Sequence, residues 1–231
     1  KKGNKPRILF FGDSNTASDG VSNNERFSEL VGDYFNAEVY NYGLSGSGTD
    51  QQYLIYKEYA QNIEADFVVL GVLVENIERN KVAYRETISP FTQKHVLTPK
   101  PYFKFHEGKL KLYNSPVPKI NSESPEIEPH MVQWEVPKGQ ELLYSLLERF
   151  RKNNMLNSIR NNFGPQLKRL RSLLIKMAYQ PFPDYGNPKS EGYVISKEIL
   201  DRFIKSVSPI PVLVMPIPTF HYYADGAKPI F

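Results

Sequence analysis

Short apolar runs alternating with amphipathic helical stretches constrain this chain more than any other feature. Residues 7–11 (RILFF), 37–42 (AEVYNY), 66–72 (DFVVLGV) and 211–217 (PVLVMPI) are β-rich segments. The first and third are near-continuous apolar runs, as expected of parallel strands buried on both faces. Pro216 and Pro218 are expected to end the fourth. Residues 27–35 place Phe27, Leu30, Val31 and Tyr34 at the i, i+3, i+4, i+7 spacing of one helix face. Residues 50–63 read as a second helix with Thr49 as its N-cap, and residues 191–206 as a further one. The order β-α-β-α-β implies right-handed crossovers and a parallel sheet, hence an α/β fold with helices on both faces.

The stretch from Ile77 to about Lys138 has a different character, rich in Pro and aromatic residues. Within it, residues 102–113 form two alternating runs around Glu107-Gly108, which predicts a β-hairpin. The whole chain is expected to be one domain, 1–231, with an insertion at about 81–138 beside the sheet. Residues 140–177 read as mostly helical, with a break near 161–165.

Composition narrows the function classes. With 231 residues, 40% apolar and 23% charged, the chain is long enough for one α/β domain and reads as globular. No apolar run approaches the roughly 20 residues of a membrane helix. The first six residues are polar and lack the apolar stretch of a signal peptide, which places the expectation on the cytoplasm, although a leader cut away before Lys1 would leave the same start. Cysteine is absent, so disulfides and thiolate metal sites are excluded. The net charge of +4 is local. Arg149, Arg151, Lys152, Arg160, Lys168, Arg169, Arg171 and Lys176 lie in one segment without an acidic residue, and removing them leaves 21 basic against 25 acidic side chains. That segment is either a solvated helical face or a surface for polyanions or membrane. No RNA- or DNA-reading motif accompanies it, so nucleic acid is not an expected partner.

The sharpest local signal is Phe11-Gly12-Asp13-Ser14-Asn15-Thr16, directly after the first strand. It puts Ser14 at the carboxyl end of that strand, the edge at which open α/β sheets bind ligands. A helix start at this point would turn backbone N–H groups toward a developing negative charge. The same residues would also serve as a capped turn with no chemistry. Asp13 and Asn15 are candidate rim residues.

Gly12-Asp13-Ser14 after a first strand resembles the first sequence block of the SGNH/GDSL hydrolases, a family of esterases, lipases and carbohydrate deacetylases with a flavodoxin-like α/β/α sandwich. The G-x-S-x-G elbow of the α/β-hydrolases is absent here. The second block of the family, an Asn and, five residues later, a Gly whose N–H serves the oxyanion hole, is matched by Asn41 and Gly46 in Asn41-Tyr42-Gly43-Leu44-Ser45-Gly46. A residue without a side chain allows close approach of a backbone N–H. The third block usually reads Gly-x-Asn-Asp. Here it is Gly71-Val72-Leu73-Val74-Glu75-Asn76. An ungapped comparison places Glu75 on the family's Asn, whereas the chemistry of donation to an oxyanion favours Asn76. Asn76 as a loop residue or helix cap is the alternative.

The resemblance implies a base and its orienter as Asp-x-x-His near the end of the domain. None of His95, His106, His130 and His221 has an Asp three residues before it. The expectation is that the chain is truncated and that Asp-x-x-His lies beyond Phe231. His221, just past the fourth strand with Asp225 nearby, is open to three readings: base, rim or substrate contact, or structural residue. The histidines show no metal-ligand spacing, and neither a metal nor another cofactor is expected. The resemblance thus implies ester hydrolysis or acyl transfer through a Ser14 acyl-enzyme, with Ser14, Gly46 and Asn76 as site residues. The substrate would be a small-molecule or carbohydrate ester, an acetylated carbohydrate suiting the aromatic insertion. A catalytically inactive binding module of the same fold is the alternative.

Overall fold

The computed structural model describes residues 3–89, 91–117 and 182–219. The chain divides into two compact units, one of Lys1–Pro129 and Asn187–Ile217, the other of His130–Gly186 and Pro218–Phe231. Of the second, only residues 182–186 and 218–219 are described, with a 3-10 turn at Pro183–Gly186. The helical reading of 140–177, the basic segment 149–176, His130, His221 and Asp225 all lie outside the described residues.

The first unit is built on a parallel sheet. Its strands are β1 (Arg7–Gly12), β2 (Glu38–Gly43), β3 (Phe67–Leu73) and, after the hairpin strands β4 to β7 given below, β8 (Val212–Ile217). They lie in the order β2-β1-β3-β8. Register pairs Gly12 with Gly43, Phe11 with Leu70 and Leu73 with Ile217, so β1, β2 and β3 release their chains at one edge. β1 is buried along almost its whole length, as its unbroken apolar run requires. Pro216 does not end the fourth strand but sits within β8, opposite Val72. Among the described residues β8 has a neighbour on one side only, which is where a sheet tolerates a residue without N–H.

Side chains alternate across this sheet, and those of the inner strands β1 and β3 are covered on both faces. Leu9, Phe11, Val68 and Leu70 point to one face, where they meet Tyr56, Ala60, Phe203 and Val207. Tyr56 and Ala60 follow helix α3 (Thr49–Ile55), and Phe203 and Val207 belong to α5 (Glu191–Val207). Phe11 is the centre of this face, with the Tyr42 ring stacked at 5.2 Å and the Phe203 ring edge-on at 5.4 Å. On the other face Phe10 meets Phe27 of α2 (Phe27–Phe35) edge-on at 5.5 Å. Full burial of each such aromatic contributes roughly 1.5–3 kcal/mol.

The second helix departs from expectation. Thr49 is its first helical residue, and Gly48 is the N-cap without a side-chain bond. The cap is supplied from elsewhere, since the Asp50 N–H donates to Asn80 Oδ1 at 3.2 Å. The helix also does not run evenly to Ile63, because Tyr56–Ala60 is a π-turn that ends it earlier. The predicted hairpin is present as β6 (Tyr102–His106) and β7 (Lys109–Tyr113). Glu107 and Gly108 both have left-handed backbone, φ 52° and 71°, the tight turn whose twist matches the strands. Its Phe103 and Leu110 pack on Ile195 and Ile199 of α5. A second hairpin, β4 (Tyr84–Ile88) with β5 (His95–Pro99), is not evident in the sequence. Among the described residues no helix is long and apolar enough to cross a membrane.

Lys100, just past β5, forms a fully buried ion pair with Asp50 at the start of α3. Burial pushes the Asp50 carboxyl above its ordinary range, against the pull of the Lys100 ammonium. Lys100→Met removes that pull and leaves the carboxylate unpaired. The expected loss is about 3–5 kcal/mol at pH 8. The folded variant then holds a proton that the unfolded chain releases near pH ~4, so its stability falls as pH rises above that value. Urea unfolding checks this, with the deficit against wild type expected to shrink between pH 8 and pH 5. An equal deficit at both values would contradict the assignment.

Candidate active site

β1 ends in Gly12, and the chain turns at once into helix α1 (Ser14–Ala17). This four-residue helix rests on the ends of three strands. A Cβ on Gly12 would lie 2.6 Å from Thr16 Cβ, one on Gly43 2.6 Å from Ala17 Cα, and one on Gly71 2.6 Å from Thr16 Oγ1. Each distance is far inside van der Waals contact, so β1, β2 and β3 all bear glycine where α1 crosses them. Thr16 and Ala17 are buried by this contact, while Ser14 and Asn15 face solvent.

Asp13 fixes the turn. It is fully buried, and its Oδ1 accepts from the Asn15 N–H at 3.0 Å and from Asn15 Nδ2 at 3.2 Å. This is the N-cap bond that satisfies an otherwise unpaired donor of the first turn. Ser14 is then the first helical residue, and Ser18, with left-handed backbone, closes the helix by donating to Ser14 O at 2.8 Å.

Asn41 and Gly46 divide the work of the next segment. Asn41 Nδ2 donates to Thr16 O and Ser28 Oγ, both at 2.8 Å, and its Oδ1 accepts from the Gly43 N–H at 2.8 Å. It ties the end of β2 to α1 and α2. The loop that follows is folded over Gly12, whose carbonyl accepts from the Leu44 N–H at 3.0 Å and from Ser47 Oγ at 3.3 Å. Gly46 at its tip is exposed with φ 71°. A Cβ there would meet open space. Its glycine requirement is therefore one of backbone conformation, not of crowding.

Asn76 opens a short helix, α4 (Asn76–Arg79), and is 1% exposed. Its Nδ2 donates to Thr49 Oγ1 at 3.3 Å, and its Oδ1 is buried without a hydrogen-bond partner among the described residues. Thr49 Oγ1 both donates and accepts, so the amide can turn over and keep this contact while presenting its NH2 as the unpaired end. Glu75 is half-buried and pairs with Arg79 at 3.2 Å.

Arg79 belongs to none of the motifs evident in the sequence. Its guanidinium donates to Asp13 Oδ2, to the Ser47 carbonyl and to Glu75 Oε2, each at 3.2 Å. The available signal was Asp13 itself, since a carboxylate set into a strand end needs a cation. Of the histidines, His95 and His106 are described. They lie on β5 and β6, and His95 Nδ1 is 2.6 Å from Glu86 on β4. Neither belongs to the segments carrying Ser14, Gly46 or Asn76. Among the described residues no group of three or more His, Asp or Glu side chains is placed to hold a metal ion.

No protein-family model matches the sequence, and neither does any curated protein sequence. Solved structures similar to the chain include AlinE4, an SGNH-hydrolase family esterase, at 24% identity and TM-score 0.29 over 34% of this chain and 46% of that one. A member of the lipolytic G-D-S-L family from Veillonella parvula is similar at 22% identity and TM-score 0.29, over 32% of this chain and 42% of that one. An acetyl xylan esterase from the rumen bacterium Butyrivibrio proteoclasticus is similar at 10% identity and TM-score 0.34, over 94% of this chain and 57% of that one. The chain thus spans about half the length of each of these proteins.

The glycine contacts make a quantitative contrast. Gly43→Ala sets a methyl group against backbone atoms of Ala17, and overpacking against an unyielding neighbour costs about 1–3 kcal/mol or more. Gly46→Ala incurs only the left-handed backbone strain, about 1–2 kcal/mol. Chemical denaturation is expected to rank Gly43→Ala as the less stable variant, and the reverse order would contradict this account of α1.

Proposed function

We propose that this chain is a serine hydrolase of the SGNH/GDSL type, acting on acyl esters with Ser14 as nucleophile. One observation carries the reading. Ser14 is an exposed hydroxyl at the first position of a helix seated on the carboxyl end of the central strands, and the loop bearing Gly46 is hydrogen-bonded to the residue two before it. Asn76 reaches the same neighbourhood through Thr49, three residues after Gly46.

In the proposed reaction Ser14 Oγ attacks the ester carbonyl carbon while its proton passes to a base. The carbonyl π pair moves onto oxygen, giving a tetrahedral oxyanion. The backbone N–H groups of Ser14 and Gly46 and the Asn76 amide are assigned as its donors. Each such donor is commonly worth about 3 kcal/mol of transition-state stabilisation. Collapse re-forms the carbonyl and breaks the bond to the alcohol oxygen, which takes the proton from the base. Water, or a second alcohol in a transfer reaction, then attacks the acyl-enzyme by the same route in reverse. No described residue is assigned as the base. His221 is the histidine that the sequence puts just past β8. Flat apolar faces suit sugars, and the insertion exposes Tyr84 and Phe91, which favours an acetylated carbohydrate as substrate.

In the intact protein Ser14→Ala is expected to abolish turnover of the short-chain aryl ester 4-nitrophenyl acetate and to leave the melting temperature nearly unchanged, because an exposed hydroxyl contributes little to the core. Wild-type-like turnover in the variant removes Ser14 from the mechanism. Asn76→Ala is expected to lower kcat about a hundredfold or more with a smaller change in KM, since its bond strengthens in the transition state. A change confined to KM would take Asn76 out of the oxyanion site. A wild-type protein that binds acetylated sugars without turning over any ester would favour the binding-module reading.

A further inference from the structure

We propose that Arg79 is a positioning residue whose single guanidinium sets the three active-site segments relative to one another. This rests on the serine-hydrolase reading above. The three acceptors of Arg79 are each adjacent in sequence to an assigned site residue. Asp13 precedes Ser14, Ser47 follows Gly46, and Glu75 precedes Asn76. They come from three separate connections of the sheet, after β1, after β2 and after β3. Ser47 Oγ to the Gly12 carbonyl and Asn76 Nδ2 to Thr49 Oγ1 each join two of these regions, whereas the Arg79 guanidinium bonds into all three.

The chemistry suits arginine and no other side chain. A guanidinium presents five N–H donors in a fixed plane, and here one nitrogen serves both Asp13 and Ser47 while the other serves Glu75. A lysine ammonium in its place carries the same charge without the fork, and its donors rotate. Asp13 is fully buried, and its other oxygen is committed to the Asn15 N–H and amide. Arg79 therefore acts on Ser14 through Asp13 and on Gly46 through the Ser47 carbonyl, without itself touching the ester. Arg79 is held in turn at the end of α4, whose Asn80 caps α3. The helix after the Gly46 loop and the turn before Ser14 thus answer to two adjacent residues, Asn80 and Arg79, at the end of α4. A displacement of about 1 Å in such a constellation costs on the order of a hundredfold in rate.

The test uses the full chain in three forms, wild type, Arg79→Lys and Arg79→Met. Amide hydrogen exchange is followed at residues 13–18 and 44–49, with β1 and β3 as internal references. Both segments are expected to exchange faster together in Arg79→Met while the reference strands do not change. Arg79→Lys should restore protection only in part. With 4-nitrophenyl acetate, Arg79→Met is expected to lose about a hundredfold in kcat with KM within about threefold of wild type. Faster exchange in one segment alone, or in neither, overturns the proposal, as does full restoration by lysine. If Arg79→Met fails to fold, Arg79→Lys against wild type decides by the same two readouts. The serine-hydrolase reading fails separately, by wild-type turnover in Ser14→Ala, and coupled exchange of the two segments in Arg79→Met would then leave Arg79 as a structural tie without catalytic consequence.

Discussion

Helix α1 lies so close to the ends of β1, β2 and β3 that a side chain at Gly43 would run into its backbone, and one at Gly12 or Gly71 into its Thr16 side chain. The rest of the site depends on this contact. A four-residue helix has no stability of its own, since nucleation alone is unfavourable and it closes too few bonds to repay it. It persists because Thr16 and Ala17 are pressed into the sheet edge and Asp13 caps its first turn from below. Once α1 is held there, Ser14 has nowhere to point but outward.

Burying Asp13 to cap that helix creates an electrostatic demand, which Arg79 meets. A similar logic repeats at the start of α3, where Asp50 is buried and Lys100 arrives from the insertion to pair with it. The two ion pairs are joined through α4, because Arg79 and Asn80 are neighbours and Asn80 accepts from the Asp50 N–H. Asn80 also donates to Ser196 Oγ on α5 at 2.9 Å. Asp13, Asp50 and Asn80 at this edge of the sheet are thus paired with partners from the segment after β3, from the stretch after β5 and from the last helix. Such a network is costly to break at any one point, because each remaining partner is left buried without a bond.

Much of this was legible in the sequence, for identifiable reasons. β1 and β3 carry near-continuous apolar runs, and Phe27 to Phe35 has an apolar face of helical period, so these elements appear within a residue of their expected bounds. Glu107-Gly108 between alternating runs specified a hairpin because both positions need left-handed backbone. The β4–β5 hairpin was missed because its apolar residues are largely exposed and its strands show no dominant face in sequence. Thr49 was mistaken for a cap because capping by Asn80 is a long-range bond, 30 residues away, that no local pattern encodes. Arg79 escaped for the same reason. Its partners are 66, 32 and 4 residues distant, and only the nearest is visible as a helix pair.

The central claim is that Ser14 is an activated nucleophile, and covalent capture tests it most directly. A fluorophosphonate ester incubated with the intact wild-type protein at neutral pH forms a Ser Oγ–P bond with loss of fluoride, and peptide mass mapping locates the adduct. The account predicts one adduct per chain, on Ser14, with the exposed hydroxyl of Ser45 in the neighbouring loop unmodified. An adduct on another serine, or an intact protein that remains unlabelled under conditions that saturate a known serine esterase, would contradict it.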